Sequence, residues 1–138
     1  MQLLHVMVRV KNIEKSIEFF SFFGLKEARR LDFLDGRFTL VYLKDEFSSF
    51  ELELTHNWDQ KMDYSVGNNF GHIAFSVNNI YETCQTLKKY GAVISRPPRD
   101  GSMAFIKSPD GISIELLQKG QALPLDAFWK NEPTIGTW

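Results

Sequence analysis

Phe70-Gly71-His72-Ile73-Ala74-Phe75-Ser76-Val77 decides how this chain folds. From residue 73 the odd positions are apolar, which is the alternation of a half-buried strand. His72, Ala74 and Ser76 take the other face, so one imidazole stands among small side chains with room above it. A lone histidine in such a strand is most often a core residue bonded to backbone. Here the same text occurs earlier in the chain, which weighs against that reading.

Leu4–Leu25 aligns with Gly71–Ala92 at a constant shift of 67 positions. His5 falls on His72, Val8 on Phe75, Val10 on Val77, Asn12 on Asn79, Ile13 on Ile80 and Gly24 on Gly91. Each copy reads strand, Asn, helix, Gly. Each also ends in a strand with Glu between apolar residues, Leu52-Glu53-Leu54 and Ile114-Glu115-Leu116. There the shift is 62, so the second copy is shorter by five residues in a loop. A period of half the chain indicates a duplicated module rather than a solenoid.

Working outward in chain order, Leu3–Val10 is expected as the first strand, with His5, Met7 and Arg9 on one face. Asn12 is an N-cap candidate for a helix whose stripe is Ile13, Ile17 and Phe20 and which Gly24 closes. Leu25–Phe33 and Arg37–Lys44 are expected to pair across the Asp35-Gly36 turn. Phe47–Thr55 follows as a strand with Glu51, Glu53 and Thr55 on one face. In the second copy, Gly71–Val77 is a strand, and Asn79 with Glu82 opens a helix with the stripe Ile80, Cys84 and Leu87, stopped by Gly91. Val93–Arg96 is a short strand ended by Pro97-Pro98. Ser102–Lys107 and Gly111–Leu117 form a hairpin around Ser108-Pro109-Asp110-Gly111.

The fold class is thus α+β, two tandem βαβββ modules with mixed sheets. The boundaries are 1–56 for the first module, 57–69 for a polar connector, 70–118 for the second module and 119–138 for an aromatic tail. The tail carries Phe128, Trp129 and Trp138 without a clear period, and is expected to lie over the surface near the mouth of the site.

A formal net charge of −1 gives no argument for nucleic acid or an anionic membrane. One cysteine excludes an internal disulfide and any multi-cysteine metal knuckle. Cys84 falls on the apolar side of its helix and reads as packing. No signal peptide or membrane-spanning run is recognised, so cytoplasm is the expected location.

In each module the first strand bears a histidine and the last a glutamate, on the faces opposite the helix-packing residues. Bringing two such faces together as a concave site gathers His5, Glu53, His72 and Glu115. Two imidazoles and two carboxylates with open positions suit a divalent transition metal, Ni, Co, Mn or Fe, or a five- or six-coordinate Zn. Glu51 competes with Glu53 on its face, and the repeat selects Glu53.

The duplicate resembles the vicinal oxygen chelate superfamily, and within it the glyoxalase I (lactoylglutathione lyase) family. Leu4–Val10, Ser16–Phe20, Leu52-Glu53-Leu54-Thr55-His56-Asn57-Trp58, Phe70-Gly71-His72-Ile73 and Ala104–Leu116 carry the likeness, which covers residues 2–118. The resemblance implies that His5, Glu53, His72 and Glu115 hold the metal, with Ni or Co favoured and Zn possible. It implies a homodimer in which each site pairs one subunit's first module with the other's second. The implied substrate is the hemithioacetal of methylglyoxal and glutathione, isomerised through an enediolate to S-lactoylglutathione in methylglyoxal detoxification. Glu115 is then the proton-transferring base and Glu53 its counterpart for the opposite substrate hand, with Arg9 and Asn57 contacting the thiol. Three departures stand out. Asn68 sits where some members have Arg, Arg99–Met103 contains no Lys, and the first helix is a residue short. Another thiol adduct or chelating substrate is therefore the alternative, and a noncatalytic small-molecule-binding module a further one.

Overall fold

A computed structural model describes the whole chain, Met1–Trp138, which divides into two compact units, residues 1–65 and 66–138. The first unit runs β1 (His5–Arg9), α1 (Ile13–Ser21), β2 (Lys26–Phe33), β3 (Phe38–Lys44) and β4 (Glu51–Asn57). The second runs β5 (His72–Val77), α2 (Ile80–Tyr90), β6 (Ile94–Arg96), β7 (Met103–Lys107), β8 (Ser113–Gln118) and a short α3 (Ala127–Lys130). Each unit holds one mixed four-stranded sheet, ordered β1-β4-β3-β2 and β5-β8-β7-β6. The first and last strands of each βαβββ module are parallel neighbours, and the other pairs are antiparallel. Because β1 and β2 occupy opposite edges of their sheet, α1 must cross one face to join them. The same holds for β5, α2 and β6.

The helices begin where an asparagine can take an orphan amide. The Asn12 side chain accepts from the Lys15 N–H, and Asn79 accepts from the N–H groups of Tyr81 and Glu82. Acidic Glu14 and Glu82 lie in the first turns, complementing the helix dipole. Gly91 closes α2 in the left-handed region, where a side chain would be strained. The first helix ends earlier than its Gly24 indicates: Phe22 is the cap, still in right-handed conformation, and the left-handed Gly24 follows as its N–H bonds to the Ser21 carbonyl.

Against α1 the first sheet buries Val8, Val41, Leu43, Leu52 and Leu54; against α2 the second buries Ala104, Ile106, Ile114 and Leu116. The α2 stripe is Ile80, Cys84 and Leu87, as its spacing predicts. Burial pushes the Cys84 thiol up to about 12. On α1 the buried residues are Ile13, Ser16, Phe19 and Phe20, with Ile17 at the half-buried margin. Small Ser16 lets the helix approach the sheet while Phe19 and Phe20 pack edge to face. Two other expectations shift. The Asp45 carboxylate accepts from the Phe47 and Ser48 amides, forming a turn that delays β4 to Glu51. In the β2–β3 turn the positive φ belongs to Arg37, while a Cβ on Gly36 would stand 2.5 Å from the Phe38 ring. No helix is long and apolar enough to cross a membrane.

Asn79→Ala removes the acceptor of two α2 amides and should cost about 1 kcal/mol. Urea unfolding should show a lowered midpoint at unchanged slope; an unaltered midpoint would mean that the cap does not support α2.

Candidate metal centre and active site

Two half-sites follow from strand alternation and parallel register. His5 pairs with Glu51 across β1 and β4, and Glu53 lies two residues farther along the same face. His72 pairs with Ser113 across β5 and β8, and Glu115 again lies two residues farther. The offset is identical in both units. It brings His5 Nε2 to 3.2 Å from Glu53 Oε2 and His72 Nε2 to 3.0 Å from Glu115 Oε2. The imidazoles are 39% and 42% exposed, so both pairs open outward rather than into a core. Two donors about 2.0–2.1 Å from one octahedral ion, at a right angle, stand about 3 Å apart. The nitrogen–oxygen chemistry and the spacing of each pair therefore fit a shared divalent cation. Neither unit gathers three or more His, Cys, Asp or Glu able to hold a metal; each presents one His–Glu pair. Glu51, the rival of Glu53, pairs instead with Arg29, which holds its carboxyl below the usual range.

The half-sites share a backbone plan but differ in what surrounds the carboxylate. Tyr42 is the cross-strand neighbour of Glu53, and Phe105 is that of Glu115. Each ring stands edge-on to its histidine, at 5.8 Å for Tyr42–His5 and 5.3 Å for Phe105–His72. The Tyr42 hydroxyl also faces Glu53, and that carboxylate, followed by burial, pushes the phenol pKa up. Thr55 Oγ1 donates to Glu53 Oε1 at 3.3 Å. Glu53 is thus gripped by Tyr42, Thr55 and His5, and it is buried. Glu115, half-buried, has His72 as its one polar partner within the chain. The sequence reading missed Tyr42; the signal available was its alignment with Phe105, at a shift of 63 between the two repeat offsets.

Arg9 and Asn57 lie toward one end of the first sheet, Arg9 beside Thr55 in register and Asn57 two residues beyond it. Arg9 is exposed and has no carboxylate partner, so its guanidinium is available to an anionic group. The Asn57 amide donates to the Tyr64 hydroxyl at 3.1 Å, leaving its carbonyl oxygen to accept. Arg96 at the end of β6 and Arg99 in the β6–β7 connection are both occupied. Arg96 donates to the Met103 carbonyl and the Asp100 carboxylate, and Arg99 to the Glu132 carbonyl and Thr134 Oγ1.

The family model described as Glyoxalase/Bleomycin resistance protein/Dioxygenase superfamily matches residues 2–116. A lactoylglutathione lyase of Neisseria meningitidis is 46% identical over 127 residues, covering 86% of this chain and 91% of that protein. A probable lactoylglutathione lyase of Vibrio cholerae is 41% identical over 129 residues, covering 88% and 93%. Among solved structures, the trypanothione-dependent glyoxalase I of Leishmania major aligns with a TM-score of 0.79 at 36% identity, covering 86% of this chain and 87% of that one.

Tyr42→Phe makes the first half-site chemically like the second. Loss of a polar neighbour of a carboxylate that ligates a metal typically costs 10–100-fold in metal affinity. Calorimetric titration of the metal-free protein with Ni²⁺ should show a loss of about that size. Equal affinities in wild type and variant would mean that the Tyr42 hydroxyl does not fix Glu53 for a metal.

Proposed function

The chain belongs to the Glyoxalase/Bleomycin resistance protein/Dioxygenase superfamily, and from that premise we propose that it is a lactoylglutathione lyase, isomerising the methylglyoxal–glutathione hemithioacetal to S-lactoylglutathione. The observation that carries the reading is the pair of His–Glu half-sites at one register, with N–O separations of 3.2 and 3.0 Å. Lactoylglutathione lyase is what the curated relatives at 46% and 41% identity are named, and the aligned part spans nearly all of each.

In this reading His5, Glu53, His72 and Glu115 hold one divalent cation per site, Ni or Co in preference to Zn. When bound, the cation supplies positive charge to two neighbouring substrate oxygens. The chain's own residues do the rest. Glu115 accepts the proton from the hemithioacetal carbon and returns it to the adjacent carbon, while the hydroxyl proton passes from the first oxygen to the second, so the product is an isomer of the substrate. Its single protein partner leaves a carboxylate lone pair for that transfer. Glu53, gripped on both oxygens, orients its half of the ligand set and serves the opposite substrate hand. Arg9 takes a carboxylate of the thiol, and Asn57 a polar group beside it. A cytoplasmic location accompanies this reading, because the reduced thiol is maintained there. One observation favours a second thiol over glutathione. The β6–β7 connection has no Lys, and its Arg99, like Arg96 at the end of β6, is bound to the protein itself.

Since each unit provides two ligands, the reading includes a homodimer whose sites combine the first module of one subunit with the second of the other. Mixing His5→Ala and His72→Ala subunits should then restore one intact site per heterodimer and recover about half of the wild-type activity per dimer. Two dead sites after verified subunit exchange would place both half-sites of a centre in one chain.

Glu115→Gln should retain the fold and lower turnover of the hemithioacetal about 10²–10⁴-fold, the worth of general base catalysis. Thioester formation by nickel-reconstituted protein measures this. Robust wild-type turnover with an undiminished variant would remove Glu115 from proton transfer. No wild-type turnover with glutathione, but turnover with another thiol adduct, would replace glutathione in the reading.

A further inference from the structure

The segment after β8 lies beyond the family match, which ends at residue 116, and the proposed chemistry does not use it. It nonetheless follows a defined course around the second unit. Leu123 N–H donates to the Gly101 carbonyl at 3.0 Å, and a Cβ on Gly101 would meet Leu123 O at 2.3 Å, so only glycine permits the approach. The Tyr81 hydroxyl donates to the Pro124 carbonyl at 3.0 Å. Asp126 caps α3, whose Trp129 is buried at 3% exposure, and Lys88 of α2 binds Glu132 at 2.7 Å. Arg99 then holds Glu132 and Thr134, and the Ile135 N–H donates to the Ser95 carbonyl on the edge strand β6. From the helix side, the segment has rounded the sheet edge. Trp138 ends on the opposite face, its indole stacked on Phe105 at 5.6 Å and 19°.

That face bears His72 and Glu115. Phe105 is the cross-strand neighbour of Glu115 and stands against His72, but it is only 4% exposed. Trp138 is 51% exposed and Leu117, next after Glu115 on its face, is 41% exposed. These two are therefore the apolar surface offered beside the half-site. Across from them on β5, Ala74 and Ser76 leave space. The first unit lacks this arrangement. There the long β2 supplies Arg29, whose guanidinium lies 3.6 Å from the Tyr42 ring centre. In the second unit β6 has three residues, and its Arg96 turns to Met103 and Asp100.

We propose that residues 119–138 are a strap that seats Trp138 as an aromatic wall of the second half-site. With Leu117, the wall receives the carbon substituent of the 2-oxoaldehyde part of the substrate and favours flat aryl substituents over methyl. The inference rests on the lyase reading for its substrate, but the placement of Trp138 is testable without it.

Two measurements decide it. First, metal-free wild type and Trp138→Phe are titrated with Ni²⁺ while tryptophan emission is followed. Trp58 and Trp129 do not stand on this face, so the metal-induced fall in emission should shrink at least twofold in the variant. An equal absolute fall would overturn the placement. Second, kcat/KM is compared for the phenylglyoxal and methylglyoxal adducts of glutathione. An aromatic contact of ordinary strength predicts that Trp138→Ala lowers the phenyl-to-methyl ratio about two- to tenfold, with Trp138→Phe retaining most of it. An unchanged ratio, or an equal fall for both adducts, would overturn the wall. If wild type turned over neither adduct, the lyase reading and the substrate selection would both fall, and the emission titration would still decide whether Trp138 stands at the half-site.

Discussion

Parallel pairing between the first and last strand of each module is the constraint on which the rest depends. Side chains alternate across a strand, so a one-residue slip in either pairing would turn the glutamate into the helix layer. The observed register instead sets each glutamate two residues past the partner of its histidine, in both units. The apolar neighbours fix that register. Leu52 and Leu54 flank Glu53, and Ile114 and Leu116 flank Glu115; all four are buried against the helix side. The same alternation that builds the core thus aims the candidate ligands away from it, and moving a ligand inward would expose two core residues.

A carboxylate held on such a sheet carries a desolvation cost unless polar partners replace water. Glu53 is 8% exposed, and Tyr42, Thr55 and His5 replace that water. Glu115 keeps more solvent and needs fewer partners. Environment therefore separates two glutamates that sequence and register make equivalent. The difference is carried by two hydroxyls, those of Tyr42 and Thr55, where the second unit has Phe105 and Leu117.

The elements legible in the sequence were those that repeat or carry a defined local chemistry. The histidines, the asparagine caps, Gly91 and the Glu-centred strands align at fixed shifts, and each has a physical reason to recur. The Cys84 stripe was legible because α2 has clear helical spacing. Less visible were features set by packing in three dimensions. Ser16 lies on the buried face of α1 because the helix sits close to the sheet, which spacing of apolar residues alone does not reveal. Arg37 takes the positive-φ turn position, while Gly36 lies against the Phe38 ring. β4 starts late because Asp45 organises a turn that competes with extension. The segment 119–138 has no period to read, and its course is set by individual bonds to Ser95, Arg99 and Gly101. Of its aromatics, Phe128 and Trp129 pack with Lys88 on the helix side, away from the face where a site mouth was expected. Trp138 alone reaches that face.

Duplication explains why the two half-sites can differ without losing their geometry. The register is held by the core, so the rings around each carboxylate can change independently. In the first unit an eight-residue β2 brings Arg29 over Tyr42, and Arg29 in turn engages Glu51, so the outer strand itself completes the polar surroundings of Glu53. In the second, Arg96 of the three-residue β6 stands beside Phe105 in register, but its guanidinium turns to the Met103 carbonyl and the Asp100 carboxylate instead of covering the ring. An aromatic face beside the His72–Glu115 pair must be solvated, covered or used by a ligand. The strap covers it with Trp138 while leaving the indole's own outer surface open. The different partners of Arg29 and Arg96, at equivalent places in the two sheets, thus accompany the polar character of the first half-site and the apolar character of the second. One half-site became polar and tightly held, and the other became open and aromatic, on the same βαβββ frame.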